Sequence, residues 1–127
     1  MYAVELDRSK RLLVISAVQR VPAREVKAVA QRVREVLRDV APGFHVLADF
    51  GQMESMDSAA APHLAEIMDI LTEKGVGSVT RVLSDPQKDI GLNILSQFHY
   101  RPDVTITTFD TLADAVQSIA AKADLSA

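Results

Sequence analysis

Tyr2, Val4 and Leu6 alternate with smaller or polar residues, the period-two pattern of a strand with one face on a core. Asp7-Arg8-Ser9-Lys10 reads as a polar turn, and Leu12-Leu13-Val14-Ile15 follows as a continuous apolar run of the kind buried on both faces. The two segments predict a hairpin. The period then changes to 3.6. Val26, Val29, Ala30, Val33, Leu37 and Val40 line one face of a helix, with Arg24, Lys27, Arg34 and Arg38 between them. Pro22 suits its first turn, where a missing N–H costs nothing, and Ala41-Pro42-Gly43 stops it. His45 to Phe50 reads as a central strand. Leu64, Ile67, Met68 and Leu71 mark a second helix closed by Lys74-Gly75, and Val79 to Leu83 a fourth strand. Ser84-Asp85-Pro86 is a helix start, and Ile90, Ile94, Leu95 and Phe98 form the stripe of that third helix. Val104, Ile106 and Phe109 make the last strand. Asp110 or Thr111 caps a final helix carrying Leu112, Ala115, Val116 and Ile119.

The resulting order is ββαβαβαβα. It predicts an α/β fold: a mostly parallel five-stranded sheet with an N-terminal antiparallel hairpin and four helices. Single helices between strands imply right-handed parallel crossovers, and both sheet faces need cover. No repeat or linker interrupts the pattern, and 127 residues is the length of one domain, so residues 1–127 are expected to form a single unit. In such sheets, sites gather in loops beyond the carboxyl ends of strands. That directs attention to the segment after Phe50.

Composition narrows the function classes. The chain has no cysteine, which excludes a disulfide framework, a thiolate metal site and a thiol nucleophile, and fits the cytoplasm. A net charge of −3 argues against a nucleic-acid binder, which needs a basic surplus against phosphate. No basic head precedes an apolar run at Met1, so no signal peptide is expected, and no apolar stretch approaches the ~20 residues that span a bilayer. Membrane insertion is therefore not expected. Tryptophan is absent and aromatics are few, which disfavours stacking on bases or sugars.

The most informative segment runs from Asp49 to Leu64 and contains Asp49-Phe50, Met53, Met56 and Asp57-Ser58-Ala59-Ala60. It resembles the STAS family, the anti-sigma-factor antagonists, in which a strand ending Asp-Leu leads through a short loop to Asp-Ser-Ser/Thr-Gly at a helix start. Lys74-Gly75 before a strand, and Phe109-Asp110-Thr111-Leu112-Ala113-Asp114-Ala115, fit the same family, so the resemblance covers nearly the whole chain. It implies a non-enzymatic module that docks a protein partner, of which an anti-sigma-factor kinase is one candidate. The resemblance places the docking and switch loop at Met53, Ser55, Asp57, Ser58, Ala59 and Ala60, with no catalytic residue and no cofactor. It also implies a departure. The residue that the partner kinase phosphorylates in the family is Ala59 here, and the following glycine is Ala60. A phosphate would add about −1.5 to −2 charge beside Glu54 and Asp57, and alanine cannot carry one. The module is then locked in its binding form, or is switched elsewhere, with Ser55 and Ser58 as remaining acceptors.

From the residues alone, Asp57 and Ser58 are also ordinary helix caps. With Ser58 as cap, Pro62 would remove the first intrahelical bond. With the helix starting at Pro62, Ala59 to Ala61 belong to the loop. Other clusters carry less. His45, His63 and His99 show no metal-ligand spacing, so no metal is expected. His63 near Asp57 and Ser58 suggests a triad only on paper, because the sharp Gly-x-Ser-x-Gly turn that exposes a nucleophile is missing. Asp85, Lys88, Asp89 and Asn93 cluster at the third helix start as candidates for a small polar ligand, but the plainer reading makes Asp85 a cap, Asp89 a dipole residue and Asn93 solvated. Phe98-His99-Tyr100-Arg101-Pro102 suits either a contact hot spot or a core aromatic before a turn. The alternative function is a small-molecule or lipid binder with a pocket between sheet and helices. Self-association through the helix stripe or the hairpin edge, giving a homodimer, stays open.

Overall fold

The structure is a computed structural model, and it describes residues 1–85, 95–97 and 99–126, the side chains of 122–126 excepted. The predicted hairpin is β1 (Tyr2–Asp7) and β2 (Leu12–Val21), paired antiparallel from Tyr2 opposite Ala17 to Asp7 opposite Leu12. Its turn is held by Asp7, whose Oδ1 accepts from the Ser9 hydroxyl at 2.8 Å and the Lys10 N–H at 3.1 Å. These bonds, the Ser9 hydroxyl foremost, hold the Asp7 carboxyl below its usual range.

The helix α1 (Ala23–Val36) follows, with Pro22 as its N-cap residue and not inside its first turn. Its buried face is Val26, Val29, Ala30 and Val33, as the spacing predicted. Then come β3 (His45–Met56), a 3₁₀ turn (Ser58–Ala60), α2 (Ala61–Glu73), β4 (Ser78–Val82), β5 (Thr105–Phe109) and α3 (Leu112–Ser126). Residues 95–97 and 99 are also helical. Pro86 of the start read for the third helix, and Ile90, Ile94 and Phe98 of its stripe, lie outside the described residues, as do Lys88, Asp89 and Asn93.

The five strands lie in the order β1-β2-β3-β4-β5, antiparallel only between β1 and β2. Sequential parallel strands joined by crossovers of one hand place those crossovers on one face of the sheet. Accordingly α1 and α2 pack on the same face, over Leu13, Ile15, Val46 and Val79, in the main core. The helix after the last strand has no crossover to make. It covers the other face, where Ala115 meets Leu47 and Val82. Phe44 and Leu37 are fully enclosed, each such burial contributing about 1.5–3 kcal/mol.

Two expectations fail in detail. β2 is ten residues long and alternates, with Leu13, Ile15 and Ala17 buried and Leu12, Val14 and Ser16 half-buried. The apolar run predicted burial on both faces, but α3 packs on β4 and β5 and does not extend fully over β2. In α3, Ala115 is fully buried, yet Leu112 and Val116 are 44% and 48% exposed, so the inward stripe is narrower than the spacing suggested.

The end of α2 follows from Gly75. Its φ of +87° is the left-handed conformation open to glycine, and it lets Gly75 N–H reach Thr72 O and Val76 N–H reach Leu71 O, both at 3.0 Å. Both orphan carbonyls are satisfied by this Schellman closure.

Candidate functional site

β3 is the element the sequence misjudged. It was expected to stop at Phe50, but it runs to Met56. Its first half is central, pairing with β2 and, from His45 to Asp49, with β4. Beyond Asp49 the β4 partner ends, and β3 pairs with the tip of β2 alone: Val18 opposite Gln52, Gln19 opposite Met53, Arg20 opposite Ser55 and Val21 opposite Met56. Two register shifts interrupt this stretch, one at Ser16/Val18 and one at Gln19/Arg20, and Gln19 sits at φ +60°. Bulges of this kind bend a strand and raise its twist. The result is a two-stranded arm extending past the sheet. Polar Gly51-Gln52 and Glu54-Ser55 look like a loop in sequence because only one face of an arm has anything to bury.

At the bend, Asp49 Oδ1 accepts from Gly51 N–H at 3.1 Å. At the tip, Asp57 N–H donates to Val21 O at 3.1 Å, and Asp57 Oδ1 accepts from Ala59 N–H at 3.1 Å. Asp57 thus caps the 3₁₀ turn, the role its position suggested, and Ser58 is the first residue inside it. α2 starts at Ala61 with Pro62 in its opening turn, where no N–H is needed. The turn absorbs Ser58 to Ala60 and removes the conflict between Ser58 and Pro62.

Arm, turn and α2 enclose an open hollow of about 460 Å³. Phe50, Met53, Met56, Leu64 and Leu95 supply apolar lining, and Glu54, Ser55, Asp57 and Ser58 supply polar groups. Of the six sequence-derived site residues, Ser55, Asp57, Ser58 and Ala59 are exposed. Met53 is 8% exposed but lines the hollow. Ala60 is fully buried in the main core, so it supports the turn from below and offers no surface. Leu64 and Leu95 were read only as helix-stripe positions, and Phe50 only as the end of the central strand and its match to the family's Asp-Leu. Their spacing cannot show that the arm leaves them partly uncovered.

The other candidates scatter. His45 Nδ1 lies 2.7 Å from Ser78 Oγ, and His99 Nδ1 lies 2.7 Å from Asp69 Oδ1. Arg34 of the basic α1 stripe reaches Glu66 at 4.0 Å, a solvated contact of little energetic weight. Among the described residues, no group of three or more His, Cys, Asp or Glu side chains could hold a metal ion. No described helix is long and apolar enough to cross a membrane.

No family model and no curated protein matches the chain. Solved structures do match, at the level of fold. An uncharacterized Shewanella loihica protein with a SpoIIAA-like fold superposes with a TM-score of 0.70 at 16% identity, covering 93% of both chains. The anti-sigma factor antagonist SpoIIAA, in its unphosphorylated form, gives 0.64 at 14% identity, covering 94% of this chain and 98% of its own. The same Bacillus cell fate determinant also matches in its phosphorylated form. A chain in the complex of the diguanylate cyclase SiaD with its activator SiaC, from Pseudomonas aeruginosa, gives 0.57 at 12% identity, covering 86% of this chain and 93% of that one. The protein therefore has the SpoIIAA-like, STAS fold that its Asp-Ser segment suggested.

Proposed function

We propose that the protein is a non-enzymatic regulatory module that docks a protein partner on the β3 arm, the 3₁₀ turn and the start of α2. The observation that carries this reading is the hollow at the arm. It is exposed, apolar within, and ringed by polar groups, the anatomy of a protein contact patch with a dry centre and a wet rim. Proteins of the same fold are described as an anti-sigma factor antagonist and as an activator held in a complex with its enzyme. Both descriptions are of regulators, and the reading extends that use of the fold to this chain. The partner, on this reading, is a cytoplasmic signalling protein such as an anti-sigma-factor kinase.

Asp57 orders the turn, Ser58 presents a hydroxyl beside it, and Met53 and Met56 give the hollow an adaptable lining. Ala59 is exposed and carries only a methyl group where a phosphorylated relative would carry a hydroxyl. The surface stays uncharged at that point, which keeps the module in its binding form.

The test compares captured partners from host lysate for the wild-type chain, Asp57→Lys at the turn, and Glu5→Lys on exposed β1. Loss of the same partner with Asp57→Lys alone supports the docking face. Equal capture by all three moves the face elsewhere. With the partner kinase in hand, Ala59→Ser is expected to gain phosphate and lose docking, whereas stoichiometric phosphate on Ser55 or Ser58 of the wild-type chain would end the locked reading.

A further inference from the structure

The outer surfaces of α1 and α2 carry opposite charge. Arg24, Lys27 and Arg34 of α1, and Arg38 one turn beyond, recur at helical spacing away from the buried Val26, Val29, Ala30 and Val33, and all four are exposed. On α2, Glu66, Asp69 and Glu73 lie exposed in the same way, opposite the buried Ile67, Met68, Ile70 and Leu71. The whole chain shares this division. Nine of its fourteen Lys and Arg fall in residues 1–38, against four of its seventeen Asp and Glu. The net charge of −3 therefore conceals a basic first third and an acidic remainder.

The acids that interrupt α1 in sequence are turned to other partners. Glu25 meets the Met1 amine at 3.1 Å, Glu35 meets Arg32 at 3.4 Å, and Asp39 meets Arg8 at 3.1 Å. Asp69 bonds His99 yet keeps 59% of its side chain exposed. Among the described residues, no ion pair holds Arg24, Lys27, Arg38 or Glu73.

The two helices are neighbours on one face of the sheet. Both return between parallel strands, so they run in the same direction. Arg34 approaches Glu66 at 4.0 Å, which sets their relative level and puts Arg38 near that of Asp69 and Glu73. Such a pair of faces is complementary to itself. A second copy turned about a two-fold axis parallel to the helices would lay its α1 over the first copy's α2, and its α2 over the first copy's α1, at unchanged level. Arg34 and Arg38 of each copy would then face Glu66, Asp69 and Glu73 of the other. A two-fold axis across the helices would stack α1 on α1, cation on cation, which is repulsive.

We propose that the outer faces of α1 and α2 form the interface of a reversible homodimer, with the basic face of each copy seated on the acidic face of the other. Two helices about 20 Å long and about 10 Å wide offer about 400 Å² per copy. That is half of the roughly 800 Å² of a standard interface. The dimer is therefore weak, and salt weakens it further by screening exposed charges. This surface is distinct from the docking hollow, and the proposal does not rest on that reading.

The experiment is sedimentation equilibrium on the full chain, up to about 0.5 mM protein, at about 20 mM and about 500 mM sodium chloride. Dimer is expected to accumulate with concentration at low salt and to recede at high salt. Arg38→Glu and Glu73→Lys are each expected to weaken dimerisation by about tenfold, because every contact occurs twice across the axis. The double variant exchanges the two charges and is expected to recover wild-type association, a rescue that a merely structural role would not give. Lys10→Glu, an equal change of net charge on the hairpin turn, is expected to dimerise as wild type does. Three results would each overturn the proposal: a chain that stays monomeric at low salt, which gives the face to a different partner; a dimer that neither single reversal weakens; or a double variant no better than the weaker single one.

Discussion

Replacing Gly75 with alanine should be among the most damaging single-methyl changes in this chain. Two costs arise from one position. The residue sits at φ +87°, where an L side chain costs about 1–2 kcal/mol. Its new Cβ would also lie 2.7 Å from Pro42 Cβ and 3.2 Å from Pro42 Cα, at a point where the chain is tied by a bond from Gly43 N–H to Gly75 O. Carbon atoms prefer about 3.5–4.0 Å. Proline cannot swing its ring away, so backbone must move, a strain of about 1–3 kcal/mol. The smaller entropy of an unfolded alanine returns about 0.4–1 kcal/mol. The net loss is about 2–4 kcal/mol. An unfolding entropy of about 2.1 cal/mol/K per residue over 127 residues converts each kcal/mol to about 4 °C, so the midpoint should fall by about 8–15 °C. Thermal unfolding followed by circular dichroism measures this directly. Gly77→Ala is the control: it is the same chemical change two residues on, its Cβ meets nothing nearer than Gly43 O at 3.4 Å, and its φ is ordinary. It should stay within about 1 kcal/mol of wild type. A drop for Gly75→Ala no larger than that for Gly77→Ala would refute the geometric reasoning. Position 75 lies at the end of α2 remote from the arm, so partner docking measured below the midpoint should survive the change.

Asp57→Ala removes the cap of the 3₁₀ turn and should cost about 0.5–1 kcal/mol in urea unfolding, whereas Asp57→Asn keeps an acceptor oxygen and should cost less; the reverse ranking would show that charge, not capping, sets its role. Leu37→Ala, at a fully buried position, should cost about 2–4 kcal/mol, and a loss below about 1 kcal/mol would mean that the core there is less closed than it looks. Asp39 accepts from Arg8, and that hydrogen bond, with the charge behind it, holds its carboxyl below the ordinary 3.8. A depressed carboxyl stabilises the fold above its unfolded pKa and loses that contribution as pH falls through the folded one. Arg8→Ala should therefore flatten the fall in melting temperature below about pH 4, by little, since both side chains are exposed; an unchanged acid limb counts against the pairing.

Much of this protein was legible in one dimension. The alternation of Tyr2, Val4 and Leu6, the 3.6 period of Val26 to Val33 and the Lys74-Gly75 stop each report a local backbone state, because side-chain period and backbone geometry are the same fact. The element order then restricted the sheet to parallel crossovers behind a hairpin. Asp57 was legible as a cap for the same local reason. Tertiary structure decided what depends on residues distant in sequence. Gln52 to Met56 are strand only because Val18 to Val21 lie beside them, and pairing across more than thirty residues leaves no local trace in a polar stretch. Leu112 and Val116 carry an inward pattern, but how wide a face α3 hides is decided by the strands beneath it. Arg81 stands between Thr80 and Val82 with no motif around it. Its place in a pocket with Tyr100 and Arg101 exists only once the sheet has brought β4 and β5 together, since hydrophobic burial selects which faces meet and leaves the chemistry of the gaps between them to the packing.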